Sequence, residues 1–367
     1  MITSEFPPGP GGIGNHAYNL AKFLELNGKK IKVLTVSDYT DKKEAEAFDK
    51  VLNFEIVRFE RYESRLKTYI SRIKLIRDNL SNGNFTDVIF SGRFALFCCA
   101  ILNRKKYKAH FISIVHGGDI NVNDAFQKKL INRALNRSDL IVPVSNFSKS
   151  FIDKEISPEK IYVIPNGFDL ENLDGILIKE NKPADGNLEL ITVGSVWPRK
   201  GHHNVFSALP KLIEKYPGLN YNIVGRHADL SLVKIYFDDE TYKDHVNIPG
   251  QVTDKIKTDI LRKSDIFILL SETQTSGDFE GFGIAVIEAN YFGLPAIGSK
   301  NSGLEDSINN GVSGILVDPK DPDEIVNAVK TILENYSGFS KNAREWALQH
   351  HWSKIVKRYI SAFNNIK

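Results

Sequence analysis

Short apolar runs rich in valine and isoleucine alternate with longer segments whose apolar residues recur at helical spacing, along nearly the whole chain. This alternation is typical of parallel β-sheets, because parallel strands are buried on both faces and are joined by crossover helices. The opening residues, 1–4, look like the end of a first strand. The pattern predicts an α/β fold, with further strands over residues 30–37, 54–59, 87–92, 109–116, 140–145, 161–165, 188–194, 220–225, 246–250, 266–271, 295–299 and 314–317.

These strands fall into two groups, each large enough for its own doubly wound parallel sheet. A chain of 367 residues also exceeds the length that a single hydrophobic core usually supports, so two domains are expected. Residues 166–187 separate the groups and are rich in Asn, Asp, Gly and Pro, which suits a linker. A terminal helix is predicted over residues 343–363. The chain thus reads as two Rossmann-like domains in series.

Composition and charge narrow the choice of partners and compartment. Apolar residues make up 42% of the chain and charged residues 25%, as in ordinary soluble proteins. The net charge of +3 is too small to indicate nucleic acid as a partner. No apolar run approaches the about 18 residues of a membrane span, and the N-terminus does not resemble a signal peptide. Adjacent Cys98 and Cys99 read as buried, reduced thiols, so we expect a cytoplasmic protein.

The glycine-rich loop GPGGIG, residues 9–14, follows the first strand and precedes a helical pattern. Glycines let backbone N–H groups approach a phosphate at a helix N-terminus. Because Asp38 follows the next strand, where an acid would bind a ribose, the loop also permits a nicotinamide-dependent oxidoreductase. Three prolines within residues 7–10 make the loop stiffer than a usual dinucleotide loop. Another phosphate-contacting loop is therefore favoured, and a plain structural turn is the third interpretation.

Two further motifs lie where predicted strands end, which is where open α/β sheets bind ligands. In VHGGD, residues 115–119, the glycines leave the ring of His116 uncovered, which favours a ligand contact over simple packing. In VGSVWPRKGHHNV, residues 193–205, Arg199 and Lys200 lie beside a helix N-terminus that would repel them unless an anion lay between. A phosphate site is therefore favoured there over a solvated basic turn.

The most informative stretch is SGDFEGFGIAVIEANYFG, residues 276–293. Gly281 and Gly283 come directly before a helical pattern, so the free N–H groups at the start of that helix are expected to face a ligand. Glu288 lies about one turn into the helix, where a carboxylate can accept both hydroxyls of a ribose. Glu280, in the loop, can meet another polar part of the same ligand. The spacing thus predicts a nucleotide-diphospho-sugar, which has a diphosphate between two hydroxyl-rich groups.

With these residues in view, the chain resembles the retaining glycosyltransferases of family 4, which have the GT-B fold. The resemblance implies two Rossmann-like domains facing across a cleft, an acceptor-binding domain over 1–170 and a nucleotide-sugar-binding domain over 188–345. It also implies a linker over 171–187 and a C-terminal helix over 346–367 that packs back toward the first domain. The similarity covers essentially the whole chain, through PPGPGGIGNHAYNLAKFL, VHGGD, VSNFSK, VIPNGFD, ITVGSVWPRKG, EGFGIAVIEAN and SGLEDSINNGVSGILVDPKDPDEI, in that order.

The resemblance implies roles for individual residues. Three are expected to be catalytic: Lys200 would neutralise the leaving diphosphate, Glu280 would grip the donor sugar, and His116 would contact the transferred sugar at its 6-hydroxyl. Glu288 would bind the ribose. The other donor-binding positions that it implies are Gly11, Gly12, Gly14, Ser195, Arg199, Val252, Phe282, Gly283 and Ile284.

The chain departs from the family pattern in one place. Where the family commonly has an arginine after the glycine of its strand-to-helix turn, this chain has Ser195, and we hypothesise that Arg199 supplies the missing charge. The favoured mechanism for such enzymes is a same-face reaction through an oxocarbenium-like ion pair. Since Lys200 and Arg199 would neutralise the diphosphate, no metal or other cofactor is expected. A catalytically silent nucleotide-sugar-binding protein is an alternative, although it would be expected to lack Lys200, Glu280 or His116.

Residues 58–78 combine cations with apolar side chains at helical spacing. A helix with one apolar and one basic face is typical of contact with an anionic membrane, and a core-packing helix with a solvated basic face fits equally well. We hypothesise a glycan or lipid-linked acceptor and peripheral binding to the inner face of the plasma membrane. UDP- and GDP-sugars are both permitted as donors. The cations assigned to this surface are Arg58, Arg61, Arg65, Lys67 and Arg72, and the apolar residues are Leu66, Tyr69, Ile70, Ile73 and Ile76.

Overall fold

The chain divides into two compact units, each an α/β structure built on one parallel sheet. The computed structural model describes residues 1–9, 11–36, 38, 41–169, 183–184, 186–231, 233–237 and 239–366. The first unit comprises Met1–Asp169 with Trp352–Lys367, and the second comprises Leu170–His351.

The first unit contains six parallel strands: β1 (Ile2–Thr3), β2 (Lys32–Val36), β3 (Glu55–Phe59), β4 (Asp87–Ser91), β5 (His110–Val115) and β6 (Leu140–Pro143). Their order in the sheet is β3-β2-β1-β4-β5-β6, so the chain reverses its direction of travel between β1 and β4. Ligands of doubly wound sheets bind at such a switch point. The helices of this unit are α1 (Gly12–Leu26), α2 (Lys42–Asp49), α3 (Arg65–Asn82), α4 (Arg93–Ile101), α5 (Ala125–Arg137), α6 (Asn146–Ser150) and, from the end of the chain, α14 (Trp352–Asn364).

The central strands of this sheet are buried along nearly their whole length because helices cover both faces. Phe90 and Phe111, on neighbouring strands, pack with ring centroids 5.0 Å apart at the centre of the core. Side chains cap the N-termini of α2, α3 and α5. By contrast, α1 and α4 begin after Gly11 and Gly92 without a side-chain cap. Gly14, in the first turn of α1, donates its N–H group to Glu5, and the N–H groups ahead of it are left for another partner at the carboxyl end of β1.

The second unit repeats this topology. Its strands are β7 (Asn187–Val193), β8 (Gly218–Val224), β9 (Val246–Gly250), β10 (Ile266–Leu269), β11 (Ala296–Ser299) and β12 (Gly314–Val317). Their order is β12-β11-β10-β7-β8-β9, with the switch point between β7 and β10. Its helices are α7 (His202–Lys215), α8 (Lys234–Phe237), α9 (Asp254–Lys263), α10 (Ile284–Tyr291), α11 (Leu304–Ser307), α12 (Pro322–Glu334) and α13 (Tyr336–Gln349). None of the helices in the described part of the chain is long and apolar enough to cross a membrane.

The predicted α/β class and the two Rossmann-like parallel sheets are confirmed. The predicted strand over 161–165 is wrong: it hydrogen-bonds alongside β6 but forms only an isolated bridge between Ile161 and Ile141. The single terminal helix predicted over 343–363 is also wrong, because the helix is interrupted at His350 and His351 and continues as α14. Most of the predicted linker, 171–187, lies outside the described residues, as does Pro10 of the glycine-rich loop.

Candidate active site

At the carboxyl end of β7, a tight turn brings two cations to the edge of the second sheet. Gly194 follows the strand, a short 3-10 turn spans Pro198–Lys200, and Gly201, in the left-handed region, directly precedes α7. A Cβ on Gly201 would lie 1.6 Å from the carbonyl oxygen of Leu270, so only glycine permits this close approach to the end of β10. The turn is thereby fixed beside the loop that precedes α10.

Four charged side chains meet beside this turn. Glu280 Oε2 accepts hydrogen bonds from Lys200 Nζ at 2.6 Å and from Arg199 Nη1 at 2.7 Å, and Arg199 Nε donates to Asp278 Oδ2 at 2.9 Å. The Glu280 side chain is only 12% exposed. Burial by itself raises the pKa of Glu280, but Lys200 and Arg199 outweigh it and hold that pKa at about 2. Glu280 is therefore ionised at any physiological pH.

Helix α10 begins next to this cluster with an uncapped N-terminus. Gly283, in the left-handed region, precedes it, and no side chain caps the helix. A Cβ on Gly283 would lie 2.4 Å from Leu304 Cδ2. Phe282 is buried, so it anchors the turn and does not face solvent. The N–H groups at the start of α10, including that of Ile284, are therefore available to an anion.

Glu288, one turn into α10, forms a second and separate ion pair. Its Oε2 lies 3.7 Å from Lys257 Nζ on α9, and Lys257 Nζ also lies 3.1 Å from Asp254. Burial raises the pKa of Glu288, and Lys257 partly opposes that rise. Val252 lies in the loop between β9 and α9, half-buried against the core. Ser195 follows Gly194 in the turn after β7. Lys257 was missed in the sequence, because only the fold brings α9 to α10.

The carboxyl edge of the first sheet carries His116, directly after β5. Its Nε2 lies 2.9 Å from Ser91 Oγ at the end of β4. The Asp119 carboxylate accepts the backbone N–H groups of His116 and Gly117, the latter at 2.7 Å, which fixes the backbone of the motif. Burial lowers the pKa of His116, while Asp119 opposes the change. The imidazole is therefore neutral at pH 7.

A second histidine adjoins the first. The ring of His16, on α1, lies edge-on to that of His116 with centroids 4.8 Å apart, and its Nε2 is 2.9 Å from Tyr359 Oη on α14. Sequence reasoning missed His16, because it reads as one more position on a core-facing helix. Sequence reasoning also missed Ser91, which contacts His116, although its position at the end of a strand was an available signal.

The glycine-rich loop closes over a carboxylate. A Cβ on Gly11 would lie 1.9 Å from Glu5 Oε2, and Glu5 Oε2 accepts the N–H group of Gly14 at 3.4 Å. Gly12 has open space around it. Burial raises the pKa of Glu5 against this hydrogen bond. Glu5 stands between β1 and the loop, so it shares the N-terminus of α1 with the predicted glycines, and sequence reasoning gave it no role.

Two ion pairs of the first unit bear on earlier expectations. The pair that involves Asp38 weakens the oxidoreductase interpretation, and both pairs remove an arginine from the predicted basic surface. Asp38, the proposed ribose ligand, accepts a hydrogen bond from buried Arg72. Arg58 donates from Nε and Nη2 to Asp49, each at 2.8 Å. Arg58 and Arg72 thus stabilise the unit and do not belong to a solvent-facing surface. Arg61, Arg65 and Lys67 are exposed, as predicted.

Cys98 and Cys99 are buried free thiols, as predicted. Within the described residues, no group of three or more His, Cys, Asp and Glu side chains is arranged to hold a metal ion.

Comparison with known proteins identifies the family. The family model described as Glycosyltransferase Family 4 matches residues 10–172, and the one described as Glycosyl transferases group 1 matches residues 175–347. The chain is 23% identical to a GDP-mannose-dependent alpha-(1-6)-phosphatidylinositol monomannoside mannosyltransferase of Mycobacterium tuberculosis, over 98% of this chain and 96% of that protein. It is also 23% identical to a component of the phosphatidylinositol N-acetylglucosaminyltransferase of Arabidopsis thaliana, over 98% of this chain and 79% of that protein.

A solved structure shows the same fold. The crystal structure of Anabaena HepE in complex with UDP and glucose matches with a TM-score of 0.75 at 19% identity, over 99% of each chain. The two family models together span most of the sequence, and both sheets have the Rossmann strand order. The chain therefore belongs to the family 4 glycosyltransferases and has the GT-B fold.

Proposed function

We propose that this glycosyltransferase is a retaining, metal-independent enzyme that moves a hexosyl unit from a UDP- or GDP-sugar to a glycan or lipid-linked acceptor in the synthesis of a cell-surface polysaccharide or glycolipid. The observation that carries the proposal is the contact of Lys200 and Arg199 with one oxygen of Glu280, beside the uncapped start of α10. Cations, free N–H groups and a carboxylate together match a diphosphate joined to a sugar. The names of the two relatives, both of which include phosphatidylinositol, favour a lipid-linked acceptor.

The second unit supplies the donor contacts in this proposal. Lys200 and the N–H groups of Gly283 and Ile284 bind the diphosphate, Glu280 binds the sugar, and Glu288 binds the ribose. The backbone at Val252 meets the base, and Ser195 lies beside the phosphates. In the first unit, Gly11, Gly12 and Gly14 contact the diphosphate and acceptor. His116, neutral and bonded to Ser91, contacts the 6-hydroxyl of the transferred sugar.

The proposed chemistry is the same-face reaction that is favoured for retaining enzymes of this fold. The bond between C1 of the sugar and the phosphate oxygen breaks, the acceptor oxygen bonds to C1 on the same face, and the leaving phosphate oxygen takes the acceptor proton. Lys200 and the α10 N–H groups stabilise the charge that develops on the diphosphate, the kind of contribution worth about 3 kcal/mol for each donor. With a pKa of about 2, Glu280 is too weak a base to take that proton, so it binds hydroxyls as an anion.

The test asks whether Glu288 and Glu280 contact different parts of the donor. We expect purified protein to release UDP or GDP from one of UDP-glucose, UDP-galactose, UDP-N-acetylglucosamine and GDP-mannose. Glu288→Gln should lower the affinity for the free nucleoside diphosphate by about tenfold, since the variant loses a charged hydrogen bond to the ribose. Glu280→Gln should leave the free diphosphate bound at least as tightly, because Lys200 no longer pairs with a carboxylate. It should remove only the additional affinity that the sugar gives to the nucleotide-sugar. Calorimetric titration distinguishes these results; equal weakening by both substitutions would contradict the assignment.

We also propose that the first turns of α3 rest on an anionic membrane surface. Three apolar side chains there face solvent, Leu66 (70% exposed), Tyr69 (51%) and Ile70 (58%), although a helix that only packed on the core would bury them. Arg65 and Lys67 are exposed on the same turns. Apolar and basic groups together match the interface between lipid headgroups and acyl chains. Peripheral binding at the inner face of the plasma membrane would bring a lipid-linked acceptor to a cytoplasmic enzyme.

A further inference from the structure

Arg199 is held between two carboxylates of the loop that precedes α10. Its Nε donates to Asp278 and its Nη1 donates to Glu280, so two edges of one planar guanidinium are fixed. The backbone of Arg199 contacts the same loop, because its carbonyl oxygen accepts the N–H group of Glu272 at 2.9 Å. Arg199 therefore holds both the start and the end of the segment 272–280.

Lys200 is bound differently. Its ammonium donates a hydrogen bond to Glu280 Oε2, and its stem packs across Gly194, where a Cβ would lie 3.3 Å from Lys200 Cε. An ammonium on a flexible stem can turn its donors toward an arriving phosphate while it stays near the carboxylate. A planar guanidinium that spans two carboxylates cannot do so without releasing both, and one of them is largely buried.

The arrangement gives the two cations separate tasks once a diphosphate binds. The phosphate attracts Lys200, which leaves Glu280 with a weaker contact to that ammonium. Arg199 then remains as the partner that keeps the carboxylate ionised and correctly oriented in a site that disfavours its charge. Asp278 lies on the solvent side of Arg199, with a side chain 45% exposed, and holds the guanidinium in place.

We infer that Arg199 is a positioning residue that orients Glu280 toward the donor sugar, and that it is not a phosphate ligand replacing the arginine that Ser195 displaces. The inference rests on the proposed function, since it concerns the sugar contact of that same site. It assigns Arg199 and Asp278 to the discrimination between a nucleotide-sugar and the bare nucleotide, and leaves Lys200 as the phosphate cation.

A double-mutant cycle tests this assignment. The variants are Arg199→Lys, which keeps the charge but loses the fork, Glu280→Gln, and the two combined. Asp278→Asn removes the other carboxylate contact of Arg199, and Lys200→Ala is the control. The probe is whichever of UDP-glucose, UDP-galactose, UDP-N-acetylglucosamine and GDP-mannose stabilises the wild type most against heat, together with its matching diphosphate. Calorimetry gives both affinities, and their ratio reports the sugar contact.

Arg199→Lys should leave the affinity for the diphosphate within about twofold and lower the ratio by about tenfold. In the Glu280→Gln background it should lower the ratio no further, because it acts through that carboxylate. Asp278→Asn should lower the ratio without raising the affinity for the diphosphate. This variant keeps the inference testable if Arg199→Lys fails to fold. Lys200→Ala should weaken the diphosphate itself.

Three results would overturn the inference. The first is that Arg199→Lys weakens binding of the diphosphate as much as Lys200→Ala does, and the second is that Arg199→Lys lowers the affinity ratio further in the Glu280→Gln background. The third is that Asp278→Asn strengthens binding of the diphosphate, because the released Arg199 then contacts it. A wild-type protein that binds none of the probes would overturn the proposed function, and the inference with it. Failure of the inference alone is thus recognised by normal binding of donor to the wild type.

Discussion

The carboxylate of Glu288 is buried, and burial opposes its charge. The charge that is proposed to bind the ribose should therefore lower the stability of the fold. Burial raises the pKa of Glu288, so the folded protein holds the proton more tightly than the unfolded chain does. The fold therefore loses stability at this residue as pH rises from about 4.5 through the raised pKa. Glu288→Gln keeps the shape without the charge. It should raise the melting temperature at pH 7.5, with a difference that shrinks toward pH 4.5, in thermal scans without nucleotide.

Glu280 gives the matched case of opposite sign. Its pKa, held at about 2 by Lys200 and Arg199 against burial, lies below that of an ordinary glutamate. The pairing therefore stabilises the fold above about pH 4.5 and is lost as pH falls toward 2, a contribution on the order of a few kcal/mol. Glu280→Gln should lower the melting temperature at neutral pH, in the same scans. If both substitutions moved it in the same direction, the assignment of the two environments would be incorrect.

Residues at strand ends could be selected from the sequence, and their partners could not. Lys200, Glu280 and His116 were selected as candidates because glycines and turn residues follow apolar runs. The contact of Glu280 with both cations joins residues 80 and 81 positions apart, which no local pattern reveals. Asp119 illustrates a nearer miss: it was part of a quoted motif, and only the structure shows that it caps the backbone of His116.

At the level of the element, α3 shows why periodicity alone did not decide which side is buried. The residues that face the core are Thr68, Arg72, Ile76 and Leu80, spaced four apart, and one of them is an arginine. Its ion pair with Asp38 satisfies the buried charge. Of the five apolar residues chosen from the sequence, Leu66, Tyr69 and Ile70 are exposed and Ile76 is buried, whereas the sequence pattern fitted membrane contact and core packing equally well. The strands were predicted more accurately, since fully buried parallel strands read as continuous apolar runs.

The exposed side of α3 carries its own prediction. Replacing Leu66, Tyr69 and Ile70 with serine should reduce sedimentation with vesicles that contain phosphatidylglycerol by about tenfold, because the apolar anchor is lost. Arg65→Glu with Lys67→Glu should abolish the preference for anionic over neutral vesicles. Lys128→Glu with Lys129→Glu, on exposed positions of α5, makes the same charge change elsewhere and should have little effect. Binding that ignores lipid charge and the apolar substitutions would refute membrane contact through α3.

At the scale of the whole molecule, two sheets of one topology were predictable because each half repeats the same alternation of strand and helix. The path of the chain end was less so. The helical pattern continues across His350 and His351, but the helix ends there, and the N–H group of Trp352 donates to the carbonyl oxygen of Phe168 at 3.1 Å. Such a contact spans 184 positions, since residues 168 and 352 meet only in the folded first unit.

Trp352 joins the end of the chain to the first unit, and its removal is the test of that organisation. Its ring is fully buried, with centroids 5.2 Å from His16 and 6.3 Å from Phe23, and a Cβ on Gly167 would lie 2.9 Å from it. Trp352→Ala should therefore cost the first unit about 3–5 kcal/mol of unfolding free energy. Because two units need not unfold together, hydrogen exchange of individual peptides is the suitable measurement.

In that experiment, Trp352→Ala should accelerate exchange throughout β1–β6 and leave β7–β12 near the wild-type rate. Trp346→Ala is the matched control: it lies six residues earlier on α13, and its Nε1 donates to the carbonyl oxygen of Ser307 at 2.8 Å within the second unit. It should accelerate exchange in β10–β12 and spare β1–β6. If Trp352→Ala instead loosened the second sheet, α14 would have to act as an extension of α13, and its assignment to the first unit would be incorrect.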